Sequence, residues 1–282
     1  MRFRRDAQLD TSQVSDRRSA GPLLAGGGGL VGVLFLVFQL LTGGGGEGGP
    51  TIPSLGNLDT ETDLSGECAT GDDANQREDC QLVGVVNSVQ AFWEKTLPGY
   101  RKATTVLYKG SVQTGCGTGT SDVGPFYCSV DEKVYIDLGF YDDLRTRFGA
   151  KGGPFAEAYV IGHEYGHHVE SLRGVLSRAR GEETGPQSPG VRVELQADCL
   201  AGMWARGAVD TGFIEELTEQ DIQDGLDAAA AIGDDRIQEK VQGQVNPESF
   251  THGSAEQRQR WFLTGYQSTD IKGCDTFAVA TV

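Results

Sequence analysis

Three of the four histidines in this 282-residue chain fall within six residues, at His163, His167 and His168. His163 and His167 are four apart, so on a helix their imidazoles project from one face about one turn from each other. That is the spacing at which two nitrogens can share one zinc ion. Glu164 lies one residue on, about 100° round the axis, where it flanks such an ion rather than ligating it. From there a carboxylate can take a proton from an activated water. The preceding run, Phe155 to Gly162, is largely apolar, and imidazoles without a partner would be costly beside it. The H-E-x-x-H pattern therefore points to metal-assisted hydrolysis of a peptide bond.

A hydrolytic zinc site takes three protein ligands and leaves one position open. His252, Glu194, Asp198 and, less plausibly, Cys199 are the candidates for the third. Glu194 and Asp198 are four apart in an otherwise apolar stretch and so share one face of a helix. Two carboxylates on a core-facing stripe demand a counter-charge or a metal. Glu194 is assigned as the ligand, and Asp198 as the acceptor of a hydrogen bond from the outer nitrogen of a ligand histidine. His252, alone outside the cluster, could donate to the oxyanion of a tetrahedral intermediate or simply fix its loop. His168, four from Glu164, is expected near that carboxylate or in solvent.

The elements that must position these residues are mostly helices. Apolar residues recur at helical spacing from Asp79 to Leu97, and Pro98 and Gly99 end the run. Ala103 to Tyr108 reads as a strand. Lys133 to Leu138 reads as a second, with Val134, Ile136 and Leu138 on one face; it is either an edge beside a cleft, where it could pair with an extended peptide, or equally a plain structural strand. A short helix spans Phe140 to Phe148. Pro154 fits the first position of the histidine-bearing helix, which runs to about Leu172 with Gly174 as its stop. Residues 175–188 form a polar connection to the helix from Pro189 to Arg206. Thr218 and Asp221 look like a capping box opening a helix through Ala231, interrupted at Gly233 before a short helix over 236–241. Ser254 and Gln257 open the last helix.

Composition bounds the setting. A net charge of −16 argues against nucleic acid as a partner. Residues 1–22 carry five Arg against three Asp, and Leu23 to Leu41 then holds no charged residue. Nineteen helical residues reach about 28 Å, close to the thickness of a bilayer core. The arginines before the run and the acidic sequence after it orient a single-span anchor with a cytoplasmic N-terminus. The expected organisation is a cytoplasmic basic tail (1–22), a transmembrane helix (23–41), a flexible linker (42–78) and an extracytoplasmic zinc metallopeptidase domain (79–282) at the cell membrane. Six cysteines agree with an oxidising compartment. Their spacing favours Cys68–Cys80 and Cys116–Cys128 as local loops, leaving Cys199–Cys274 as a long-range tie.

Taken together, His163-Glu164-x-x-His167 followed by Glu194-x-x-x-Asp198 resembles the gluzincin arrangement of zinc peptidases. More specifically, the chain resembles the membrane-anchored neutral zinc metallopeptidases of bacteria. The stretches 115–117, 124–128, 134–138, 140–143, 163–168, 194–199, 231–236 and 250–254 carry the likeness across roughly residues 80–280. The resemblance implies zinc at His163, His167 and Glu194, with Glu164 catalytic, acting on a peptide or protein substrate. The fold expected is α+β, a mainly helical zincin-like domain with a small β-sheet over the zinc helix, preceded by one transmembrane helix. Two rivals stand beside the peptidase: a zinc amidase acting on cell-wall peptides, and a catalytically silent binding module whose metal is structural. A fourth protein ligand would mark the silent module.

Overall fold

The structure is a computed structural model that describes residues 1–18, 64–179, 181 and 183–282. Its centre is a pair of nineteen-residue helices, α4 (Pro154–Leu172) and α5 (Pro189–Gly207). Each opens on a proline at its first turn, where the missing N–H costs nothing. Ser188 caps α5 by accepting from Val191 N at 3.3 Å, satisfying one orphan amide of the first turn. Gly153 (φ 115°) turns the chain into α4, and Gly174 (φ 71°) takes the left-handed conformation just past its end, where the sequence places the stop.

Two close approaches set how the helices pack. A Cβ on Gly166 would lie 2.8 Å from the carbonyl oxygen of Ala197 and 2.9 Å from its Cα, so the bare glycine lets α5 reach the histidine face of α4. On the other side of α5, Gly202 and Gly265 meet the backbone of Phe262 and Cys199 respectively, which seats α8 (Ala255–Gln267) on the same helix. The Cys199–Cys274 disulfide ties α5 to the segment after α8, and Cys68–Cys80 and Cys116–Cys128 form as the spacing indicates. Around this core lie α1 (Gly71–Ala74), α2 (Glu78–Thr96), α3 (Gly139–Thr146), α6 (Glu219–Ala231) and α7 (Asp234–Gln242). Both expected capping boxes are present, Thr218 with Asp221 and Ser254 with Gln257. The connection 175–188 is less polar in place than in sequence, because Val175, Leu176 and Ala179 turn into the core.

A four-stranded sheet packs beside α4 in the order β2 (Val14–Asp16), β3 (Thr104–Tyr108), β7 (Lys133–Asp137), β6 (Phe126–Cys128). The first three are parallel, and β6 runs antiparallel to β7. A hairpin of β4 (Ser111–Thr114) and β5 (Gly117–Thr120) projects between β3 and β6. Of the two readings of 133–138, the plain structural strand holds: β6 is the edge, and β7 is interior. Its alternating face is indistinguishable from an edge strand's in sequence, because pairing partners are a tertiary property.

The expected transmembrane helix and separate basic tail do not survive either. β1 (Arg2–Phe3) pairs with β8 (Ile214–Glu216), and β2 pairs in register with β3, Val14 opposite Thr105 and Asp16 opposite Leu107. Asp10 N donates to Asn87 Oδ1 at 2.7 Å, and Arg18 bonds both Asp16 and Asp79. Residues 1–18 thus belong to one body with the helical core. The run 23–41 and most of the expected linker lie outside the described residues. Among the described residues, no helix is long and apolar enough to cross a membrane. What stands is the mixed helical and sheet domain without that helix. The reason for the misreading is local: two- and three-residue strands carry no periodicity, whereas a nineteen-residue apolar run dominates any window.

Candidate metal centre

The approach allowed by Gly166 brings one turn of α5 against one turn of α4. His163 Nε2 lies 3.2 Å from Glu194 Oε2, and His167 Nε2 lies 3.6 Å from Glu194 Oε1. The two Nε2 atoms are 3.1 Å apart. One ligand atom from each of the three residues falls within 4.8 Å of the others, and all three side chains are buried. Asp198, one turn beyond Glu194, accepts from His163 Nδ1 at 2.9 Å, as the sequence indicates.

Four participants are absent from the sequence reading. Glu170 Oε2 lies 2.8 Å from His167 Nδ1, giving the second imidazole a carboxylate of its own. Tyr159 donates to Asp198 Oδ1 at 2.5 Å. Arg258, from α8 and only 2 % exposed, grips Asp198 with Nε at 2.9 Å and Nη2 at 3.1 Å and also reaches the Tyr159 hydroxyl. Asp234, at the start of α7, accepts from the backbone N–H of Thr251, His252 and Gly253 and stands 3.4 Å from His252 Nδ1. Glu170 is legible in retrospect as an i, i+3 partner of His167. Tyr159, Arg258 and Asp234 carry no local signal, since other helices deliver them or their contacts.

Electrostatics follow from burial and these contacts. Burial opposes ionisation of Glu194 and Asp198, but His167, His252 and His163 around the first, and Arg258 and His163 around the second, together outweigh it and hold both carboxylates below their ordinary range. Glu170 has one imidazole donor, and burial pushes it up to about 7. Its Oε1 has no hydrogen-bond partner among the described residues. Glu164 is 7 % exposed, and burial raises it. It shares a cavity of about 120 Å³ with His163, His167, Glu194 and His252.

His168 goes to neither expected place. Its Nε2 meets the Arg101 carbonyl at 2.6 Å and its Nδ1 the Tyr127 hydroxyl at 3.1 Å, so it bolts α4 to β6 and to the segment before β3. His252 lines the cavity but is not among the three converging ligands.

The donor set suits a zinc ion. With each Nδ1–H donated to its own carboxylate, both Nε2 atoms are lone pairs, and they converge on a third acceptor, Glu194. Three acceptors that converge in this way can be bridged by one cation, and a two-nitrogen, one-oxygen set fits zinc. The mixed helical and sheet domain thus carries a triad able to hold a metal, with the Glu164 carboxylate beside it.

The comparisons with known proteins agree. The chain matches the family described as "Putative neutral zinc metallopeptidase" over residues 1–277, and it belongs to that family. It is 54 % identical over 225 residues to the uncharacterized protein Rv2575 of Mycobacterium tuberculosis, covering 77 % of this chain and 76 % of that protein. It is 39 % identical over 293 residues to the uncharacterized protein YpfJ of Escherichia coli K12, covering 98 % and 99 %. No solved structure matches. The family match takes in the first 18 residues, in keeping with their place in the fold.

Proposed function

We propose that this chain is a zinc-dependent peptidase that hydrolyses peptide bonds with Glu164 as its general base. The observation that carries the reading is the convergence of His163, His167 and Glu194 in the cavity that also holds the Glu164 carboxylate. Zinc, when bound by those three side chains, supplies Lewis acidity toward a substrate carbonyl and toward water.

The chain's own residues do the rest. Glu164 takes the proton of the attacking water and passes it to the departing amine; its burial raises its proton affinity toward what a base working near neutral pH needs. Asp198 and Glu170 each accept an Nδ1–H, which fixes the tautomer that turns Nε2 inward. His252, its loop tied to Asp234, donates to the oxyanion that forms as water adds. Only three side chains converge as ligands among the described residues, which favours an enzyme over a structural metal site. Three disulfides favour work in an oxidising compartment.

The test is metal analysis of the purified chain together with hydrolysis of casein, with and without chelator, and with peptidoglycan fragments as a parallel substrate. Glu164→Gln is expected to keep its zinc and lose about 10²- to 10⁴-fold in kcat. Unchanged turnover in that variant sinks the mechanism, and cleavage of the peptidoglycan fragments alone points to a cell-wall amidase instead.

A further inference from the structure

We propose that the cavity beside Glu164 is a side-chain pocket that selects a bulky apolar residue flanking the scissile bond and rejects an acidic one. The inference rests on the peptidase reading and names the substrate class for the same site. Whatever fills this cavity lies against Glu164 and the converging ligands, because they form part of its wall. Beyond them the wall is apolar and comes from separate parts of the chain. Val160 stands on α4 one turn before Glu164, Pro125 leads into β6, Phe140 lies in the first turn of α3 and Phe148 just beyond its end, and Ile232 and Ile237 come from the junction of α6 and α7. The last four are only half-buried although large and apolar. Scattered exposed hydrophobics need no explanation, but a set that converges on a catalytic carboxylate is what a ligand pocket requires.

The pocket is also shaped. The Phe140 and Phe148 rings stand 6.1 Å apart at a tilt, and Gly124 (φ 76°) lies so close to Phe140 that a Cβ there would come within 3.1 Å of the ring. At about 120 Å³, the space has room for a bulky side chain. The charges at its mouth do not invite an acid. Arg147 Nη1 is 2.7 Å from Asp143 and 3.9 Å from Asp122, so its charge is already met, with one carboxylate in excess. Arg258, on the inner wall, is engaged with Asp198 and Tyr159. A carboxylate pushed among Phe140, Phe148 and Ile237 would lose its hydration, and neither arginine is free to receive it.

The experiment has two arms on the zinc-loaded full chain. In the first, peptides that differ only at the residue flanking the cut, Leu, Phe, Ala or Asp, are compared by kcat/KM, with fragment masses locating the bond. Leu and Phe are expected to exceed Ala by at least about tenfold, with Asp last. In the second, binding of small hydroxamates bearing isobutyl, methyl or carboxymethyl groups is measured by calorimetry, and isobutyl is expected to bind tightest by a similar factor. Ile237→Glu should bring the Leu-to-Ala and isobutyl-to-methyl ratios toward one; ratios do not depend on the folded fraction. Peptides cut with no apolar preference overturn the pocket and leave the peptidase. Hydroxamates ranked isobutyl first by a protein that cuts no peptide overturn the peptidase and leave the pocket. No cleavage and no ranking overturns both.

Discussion

The two imidazoles of the triad are held by unlike carboxylates. Asp198 accepts from His163, Tyr159 and both Nε and Nη2 of Arg258, and this crowd of donors holds it ionised. Glu170 accepts from His167 alone, has an oxygen without a hydrogen-bond partner, and sits at about 7. One arm is clamped by a fixed positive charge from a distant helix; the other depends on the imidazole it supports. The difference teaches that ligand orientation here is not two copies of one device. The Asp198 arm is stiff because its charge is balanced before any metal arrives, whereas the Glu170 arm is balanced only when His167 is charged or bound to a cation.

The largest effect expected from breaking this comparison falls on Arg258. Arg258→Met leaves Asp198 buried without its cation and should cost about 3–5 kcal/mol in chemical denaturation of the zinc-free protein. A loss below about 1 kcal/mol would mean that the clamp contributes little. Next comes zinc affinity, measured by competition with a chromogenic chelator. Asp198→Asn and Glu170→Gln should each weaken binding within about 10- to 100-fold, with Asp198→Asn at the upper end because it also strands Arg258. Equal losses, or the reverse order, would erase the distinction between the arms.

The smallest effect concerns Glu157, on the first turn of α4 and away from the metal. Burial, with Glu78 nearby, pushes it up to about 7 against the partial relief of Arg145. A raised carboxylate binds more protons folded than unfolded, so stability falls as pH rises from about 4.5 to about 7 and stays lower above. Glu157→Gln should flatten that slope and stabilise the protein by about 1–2 kcal/mol at pH 8, with little change at pH 4. An identical slope in the variant would show that Glu157 is ordinary in the folded state. The contrast with Glu170 is direct: both carboxylates are raised by burial, and of the pair only Glu170 has an imidazole donor.

Much of the site was legible from spacing alone. His163, Glu164 and His167 lie on one turn, and Glu194 with Asp198 on another, so each set needs only helical geometry to be aligned. The three disulfides followed from proximity in sequence and elimination. Glu170 was readable by the same i, i+3 rule and was overshadowed by the histidines. His168 could not be placed, because its partners Arg101 and Tyr127 sit on other elements. The N-terminal strands and the interior position of β7 were equally hidden, since a three-residue strand declares itself only through its neighbour.

The sequence by itself determined which residues could bind a metal, on which helical faces they stand, and which neutral zinc metallopeptidases they resemble. Only the tertiary structure decided that the faces meet, that α8 brings a buried arginine to Asp198, and that residues 1–18 join the sheet rather than stand apart. The reason is the range of the forces involved. Helical periodicity is written in residues three or four apart, whereas the approach of α5 to α4 across Gly166 and of α8 to α5 across Gly202 and Gly265 depends on side chains absent from those positions and on partners 31 to 66 residues away.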